Sequence, residues 1–149
     1  MIYNKWFRND DKGKEILSLR RKFKEHMEAD FRNMFSYDVV VYEGKQPIGM
    51  GRLEMRSGLF MIVGLVTEEQ HKTSEIKDLL VRLIIRKACD LGAQGVYVKL
   101  KENNPEEISF YSQYEFKIAN KNFHEENIFY RHGDIKGNCC EEKKNEKRR

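Results

Sequence analysis

The chain has 149 residues, enough for one domain with a substantial core, and its 40% hydrophobic and 11% aromatic residues suit a folded protein despite 35% charged ones. The net charge of +4 is mild and its signs are mixed along the chain, which argues against a nucleic-acid-binding face. With no apolar run of bilayer length, no signal-like start and three irregularly spaced cysteines, the expectation is a cytoplasmic protein without a disulfide framework or membrane contact.

Residues 2–7 are expected to form a first strand, followed by a turn through Asn9, Asp10, Asp11 and Gly13. Residues 15–31 carry Ile16, Leu19, Phe23, Met27 and Phe31 at helical spacing, which predicts an amphipathic helix with one face for a core. Residues 38–43 are a β-branched strand, closed by a hairpin turn over Gly44, Lys45, Gln46 and Pro47 and followed by a return strand at 48–55. After a turn at Ser57 and Gly58, the almost uninterrupted apolar run 59–66 reads as a central strand. Residues 74–91 place Ile76, Leu79, Leu80, Leu83, Ile84 and Ala88 on one face of a long helix, which Gly92 ends. Cys89 lies inside this helix and is expected to be buried.

A further strand is predicted at 95–100, a short helix from Pro105 to about Tyr114, and two closing strands at 116–119 and 128–132. Such alternation predicts an α+β (mixed α/β) fold, with a mixed sheet of about six to seven strands flanked by helices. Residues 1–136 form a single domain in this reading. Residues 137–149, where Lys143, Lys144, Lys147, Arg148 and Arg149 outweigh Glu141, Glu142 and Glu146, are a charged and disordered tail. Cys139 and Cys140 sit in that tail with no histidine or cysteine at ligand spacing, so no metal site is expected.

Several local motifs fall in this order. Leu17-Ser18-Leu19-Arg20-Arg21 with Phe23 looks like an L-x-L-R-x-x-V-F helix opening, and Pro47-Ile48-Gly49-Met50-Gly51-Arg52-Leu53 is similar to a third strand with a recurrent small residue and an R-L pair. Asn104 precedes Tyr111 by seven residues across a short helix, and Phe123-His124-Glu125-Glu126-Asn127-Ile128 looks like a closing segment. Together these resemble the GNAT superfamily of acyl-coenzyme A-dependent N-acetyltransferases over about residues 6–132.

The resemblance implies a GNAT fold in which the fourth strand splays from the fifth and the pantetheine arm pairs with exposed backbone groups. The pyrophosphate would sit on the first amides of the long helix, where donors lack partners and the dipole is positive. The family loop is R/Q-x-x-G-x-G/A, its glycines letting backbone approach phosphate. Here the loop reads Gln70-His71-Lys72-Thr73-Ser74-Glu75-Ile76. Aligned on Leu79-Leu80, His71, Ser74 and Ile76 take the arginine and glycine places; aligned on Gln70, Thr73 and Glu75 take the glycine places. Neither frame keeps a glycine, and Glu75 brings negative charge that Lys72 and Lys77 oppose. Ser74 is suited to capping the helix or contacting phosphate.

By the same resemblance Tyr111 corresponds to the tyrosine that protonates the departing thiolate, although from spacing alone aromatic packing beside Phe110 and Tyr114 is the better explanation of such a residue. Asn104 would bracket the cofactor arm, with ordinary turn chemistry before Pro105 as the other reading. A main-chain N–H near Leu65 or Val66 would hold the oxyanion. Glu115 stands where the family has a glycine. No general base is evident: Phe60 and Met61 occupy the strand where some relatives carry a glutamate, and Glu54, Glu68 and Glu69 read as solvated surface carboxylates. The implied function is acetyl transfer from acetyl-coenzyme A to a primary amine of a small molecule or peptide. The alternative is a silent binding module of the same fold. Many members of the family form dimers, so a homodimer is an implied possibility.

Overall fold

The computed structural model describes residues 1–8, 11, 13–23, 35–56, 58–68, 73–101, 104–121 and 127–132. In chain order its elements are β1 (Ile2–Arg8), α1 (Lys14–Phe23), β2 (Ser36–Glu43), β3 (Gln46–Arg56), β4 (Leu59–Thr67), α2 (Thr73–Asp90), β5 (Tyr97–Lys101), α3 (Pro105–Ser112), β6 (Phe116–Lys121) and β7 (Asn127–His132). The seven strands reach the upper end of the expected number. By internal contacts the chain forms two compact units, Met1–Arg56 with Ile62–Ile84, and Ser57–Met61 with Ile85–Arg149.

In the first unit the strands run β1–β2–β3–β4, with β1 and β3 both antiparallel to β2. The hairpin turn is tighter than the sequence suggested: Gly44 and Lys45 alone make it, Gly44 at φ 61, and Gln46 and Pro47 already belong to β3. Two-residue hairpins need a left-handed first residue to match strand twist, which glycine adopts at no steric cost.

Strand residues alternate between faces, so the register decides what each helix covers. Val40 pairs Met50 on one face, while Val39 and Val41 pair Gly51 and Gly49 on the other. The first face packs Val40, Tyr42, Met50 and Val66 against Ile16 and Leu19 of α1, with Phe7 beside them. Each such fully buried side chain contributes roughly 1.5–3 kcal/mol. On the opposite face, Ile76 and Ile84 of α2 come down directly over Gly49 and Gly51.

Beside the apolar part of the α1-facing side lies a buried ionic network. Arg52 donates from Nη1 to both Asp38 oxygens at 3.1 and 3.0 Å, from Nη2 to Ser36 Oγ at 2.7 Å, and from Nε to Glu54 Oε1 at 2.8 Å. Arg20 of α1 donates from Nε to Asp38 at 2.9 Å and from its two terminal nitrogens to the Asp11 and Arg8 carbonyls. Arg56 reaches the second Glu54 oxygen at 2.7 Å. Glu54 is therefore not a solvated surface carboxylate, as its sequence context suggested, but is fully buried between two arginines. A buried charge survives only when paired and hydrogen-bonded, and here the pairing is dense.

In the second unit the order is β5–β7–β6, with β7 antiparallel to both neighbours. The end of α2 is closed by Gly92 at φ 88, with Gly92 N–H donating to Cys89 O and Ala93 N–H to Ala88 O, each at 2.9 Å. Such left-handed closure satisfies carbonyls that the last turn leaves open. Cys89 is buried, as expected. The predicted continuation of α1 through Met27 and Phe31, the motif residues 123–126, and the tail with Cys139 and Cys140 lie outside the described residues.

Candidate active site

Each unit carries part of the residue set picked from the sequence. In the first, β4 ends with Leu65 half-buried and Val66 buried, and α2 begins at Thr73. His71 and Lys72 lie outside the described residues, as do the side chains of Thr73 and Ser74. The first amides of α2 nevertheless exist whatever the side chains, since the first turn of any helix leaves donors without intrahelical partners. Glu75 is exposed in that turn. A carboxylate there favours the helix and disfavours a second anion.

Ile76 is buried, only 5% exposed, and its side chain packs onto β3 at Gly49. In the frame that places Ile76 at a family glycine, the extra bulk is thus seated on the sheet. The helix start is present without the close-approach glycines.

The second unit presents Asn104 and Tyr111 on α3. Asn104 caps the helix: its Oδ1 accepts from the Glu107 N–H at 3.2 Å, and its Nδ2 donates to Glu107 Oε2 at 3.3 Å. Pro105 follows at the first helical position, where its missing N–H costs nothing. An amide nitrogen carries two hydrogens, so this capping leaves Asn104 one further donor.

Tyr111 lies seven residues on, 4% exposed, with its ring edge-on to Phe110 at 5.1 Å and to Phe116 at 5.4 Å. Among the described residues no hydrogen bond to its hydroxyl is seen. Burial pushes the phenol well above its ordinary value of 10, with the Glu107 carboxylate and Tyr114 adding to the rise. Glu107 is one helical turn before Tyr111 on the same face. The sequence reading passed over Glu107, although the Asn-x-x-Glu spacing of a capping box was visible.

After α3 the chain turns through Glu115 at φ 65, the left-handed non-glycine among the described residues. The glycine expected at this place has a plain backbone reason: the turn from α3 into β6 passes through the left-handed region.

Among the described residues no carboxylate stands out as a base. Glu54 is consumed by Arg52 and Arg56, and Glu68 pairs with Lys22. A cavity of about 310 Å³ within the second unit is lined by the β3–β4 turn, the α2–β5 loop, Phe60 and Tyr97, and its described lining holds neither a carboxylate nor an imidazole. Among the described residues no group of three or more His, Cys, Asp or Glu is placed to hold a metal ion.

No family model matches the chain. It is 22% identical over 86 residues, 58% of its length, to an uncharacterized N-acetyltransferase of Bacillus subtilis, of which it covers 59%. The chain thus spans about three fifths of that relative. In fold it is similar to an acyl-CoA N-acyltransferase from Pseudomonas aeruginosa, with a TM-score of 0.71 at 12% identity, over 89% of this chain and 100% of the other. It is similar also to an N-acetyltransferase from Thermoplasma acidophilum solved with coenzyme A, at TM-score 0.63 and 12% identity, over 89% and 99% of the two chains.

Proposed function

We propose that this chain, which has the fold of the GNAT N-acetyltransferases, transfers an acetyl group from acetyl-coenzyme A to a primary amine. Tyr111, a buried phenol on the capped helix α3, is the observation that carries the reading. In this reading the neutral amine attacks the thioester carbon, and the carbonyl oxygen takes up the electron pair. A main-chain N–H at Leu65 or Val66 holds that oxyanion. The carbonyl re-forms, the carbon–sulfur bond breaks, and the sulfur takes its proton from Tyr111. The ammonium proton returns through water to the phenolate.

The proton transfer to sulfur is uphill. An ordinary phenol is a weaker acid than a thiol by about 1.5 pK units, an uphill transfer of roughly 2 kcal/mol. Burial and the Glu107 carboxylate raise the Tyr111 phenol further, which makes this transfer more uphill than the ordinary values give. Asn104 fixes the start of α3 and offers its second amide hydrogen to the cofactor arm. The pyrophosphate is taken by the loop from His71 through Lys72, Thr73, Ser74 and Glu75 to Ile76, on the α2 amides. The amine belongs to a small molecule or peptide.

Calorimetric titration with acetyl-coenzyme A tests the binding step, with micromolar affinity expected. Once an acceptor is in hand, Tyr111→Phe is expected to lower kcat by about 100-fold with KM for acetyl-coenzyme A nearly unchanged. Unchanged kcat across the pH range would remove Tyr111 from the mechanism. The glycine-free loop and the Glu75 carboxylate favour a second reading, a silent binding module of the same fold. Absence of coenzyme A binding at millimolar concentration by the folded protein would decide for it.

A further inference from the structure

We infer that Gly49 of β3 is a positioning residue for the proposed cofactor site, setting where the first turn of α2 comes to rest. The inference rests on the acyl-coenzyme A reading above. A Cβ at position 49 would lie 2.6 Å from Ile76 Cγ2, 3.4 Å from Leu80 Cδ1 and 3.4 Å from the Val66 carbonyl oxygen. Leu80 and the Val66 carbonyl stand at ordinary contact distance, so the approach that a side chain at 49 could not keep is the one to Ile76, at the start of α2.

The chemistry of the contact makes it a stop. Cγ2 of isoleucine is a branch on Cβ, and in a helix χ1 of a β-branched residue has one strongly preferred rotamer. The methyl therefore cannot swing aside, and the backbone of the first turn must move with it. Restoring an ordinary carbon–carbon contact would take roughly 1 Å. The amides of Thr73, Ser74 and Glu75 immediately precede Ile76 and would be displaced with it.

Gly51 provides the contrast on the same face. A Cβ there meets Ile84 Cδ1 at 2.8 Å and Leu65 Cδ2 at 3.0 Å. Both are the ends of flexible side chains, and Ile84 is eight residues beyond Ile76. Crowding at 51 disturbs packing without moving the start of α2.

The test compares the full chain with Gly49→Ala, Gly51→Ala, Ile76→Ala and the double variant Gly49→Ala/Ile76→Ala. Thermal melts report folding, and calorimetry reports binding of coenzyme A. Gly49→Ala is expected to weaken binding about tenfold or more, while Gly51→Ala stays within about twofold of wild type although both lower Tm. Ile76→Ala removes the obstructing methyl, so the double variant is expected to recover most of the affinity that Gly49→Ala lost. If Gly49→Ala does not fold, the double variant is compared with Ile76→Ala, and the proposal requires it to bind coenzyme A at least as tightly.

Equal loss of affinity at 49 and 51, or a double variant no better than Gly49→Ala, would reduce Gly49 to a packing residue. Failure of the folded wild type itself to bind coenzyme A overturns the cofactor reading, and this inference with it. That outcome is seen before any variant is made.

Discussion

Glu115 holds a backbone conformation that crowds its own Cβ against the carbonyl that follows, a cost of roughly 1–2 kcal/mol for a residue with a side chain. It does so because α3 must turn sharply into β6, where Phe116 enters the apolar surroundings of Tyr111. Glu115→Gly is therefore expected to stabilise the protein, by about 1 kcal/mol once the greater freedom of glycine in the unfolded chain is set against the relieved strain. Urea unfolding measures it, and a midpoint at or below that of wild type would show that the strain is absorbed elsewhere. The same turn leads from Tyr111 to Phe116, whose rings meet edge-on at 5.4 Å.

At the scale of elements, the network joining α1, β2 and β3 is organised around one acid. Asp38 receives hydrogen bonds from both Arg20 and Arg52 and is fully buried. Removing its charge leaves two guanidiniums facing an amide that cannot neutralise them, and breaking a buried pair in this way costs about 3–5 kcal/mol. Asp38→Asn is expected to lose about 3 kcal/mol or more in urea unfolding, and a loss under 1 kcal/mol would mean that water reaches the arginines. Element positions were legible in the sequence because they follow from periodicity and turn chemistry. Strand β4 is a continuous apolar run, α2 carries an i, i+3, i+4 stripe, and Gly92 punctuates its end. Arg20 and Arg52 were legible only as motif residues. Their common partner was hidden because Asp38 heads a strand of valines and looked like the polar boundary of that strand. Glu54 was misread for a related reason: whether a carboxylate in a strand is solvated depends on which cation the neighbouring strand and helix bring, and sequence spacing carries no such information. Asn104 and Tyr111 were picked out by pattern, whereas Gly49 was visible only as a small residue until Ile76 was seen above it.

For the molecule as a whole, stability should respond to alkaline pH in a defined direction. The Tyr111 phenol ionises with more difficulty in the folded protein than in the unfolded chain, whose tyrosines titrate near 10. Above that pH the unfolded chain sheds protons that the folded one retains, so stability falls as pH rises, with a slope approaching about 1.4 kcal/mol per pH unit for each such group. Tyr42, raised by burial and by its bond to Glu15, acts in the same direction. Unfolding free energies at pH 9, 10 and 11 are expected to decline, and Tyr111→Phe to flatten that decline by one group's share. An unaltered slope in the variant would place the Tyr111 hydroxyl in contact with water.

The ionic network also bears on the order in which the chain acquires structure as it is made. Its members, from the Arg8 carbonyl through Asp11, Arg20, Ser36, Asp38, Arg52 and Glu54 to Arg56, all lie in the first 56 residues. Synthesis delivers the N-terminal part first, at roughly 5–20 residues per second. The charges can therefore be matched while α2, which covers the opposite face at Gly49 and Gly51, has still to leave the ribosome.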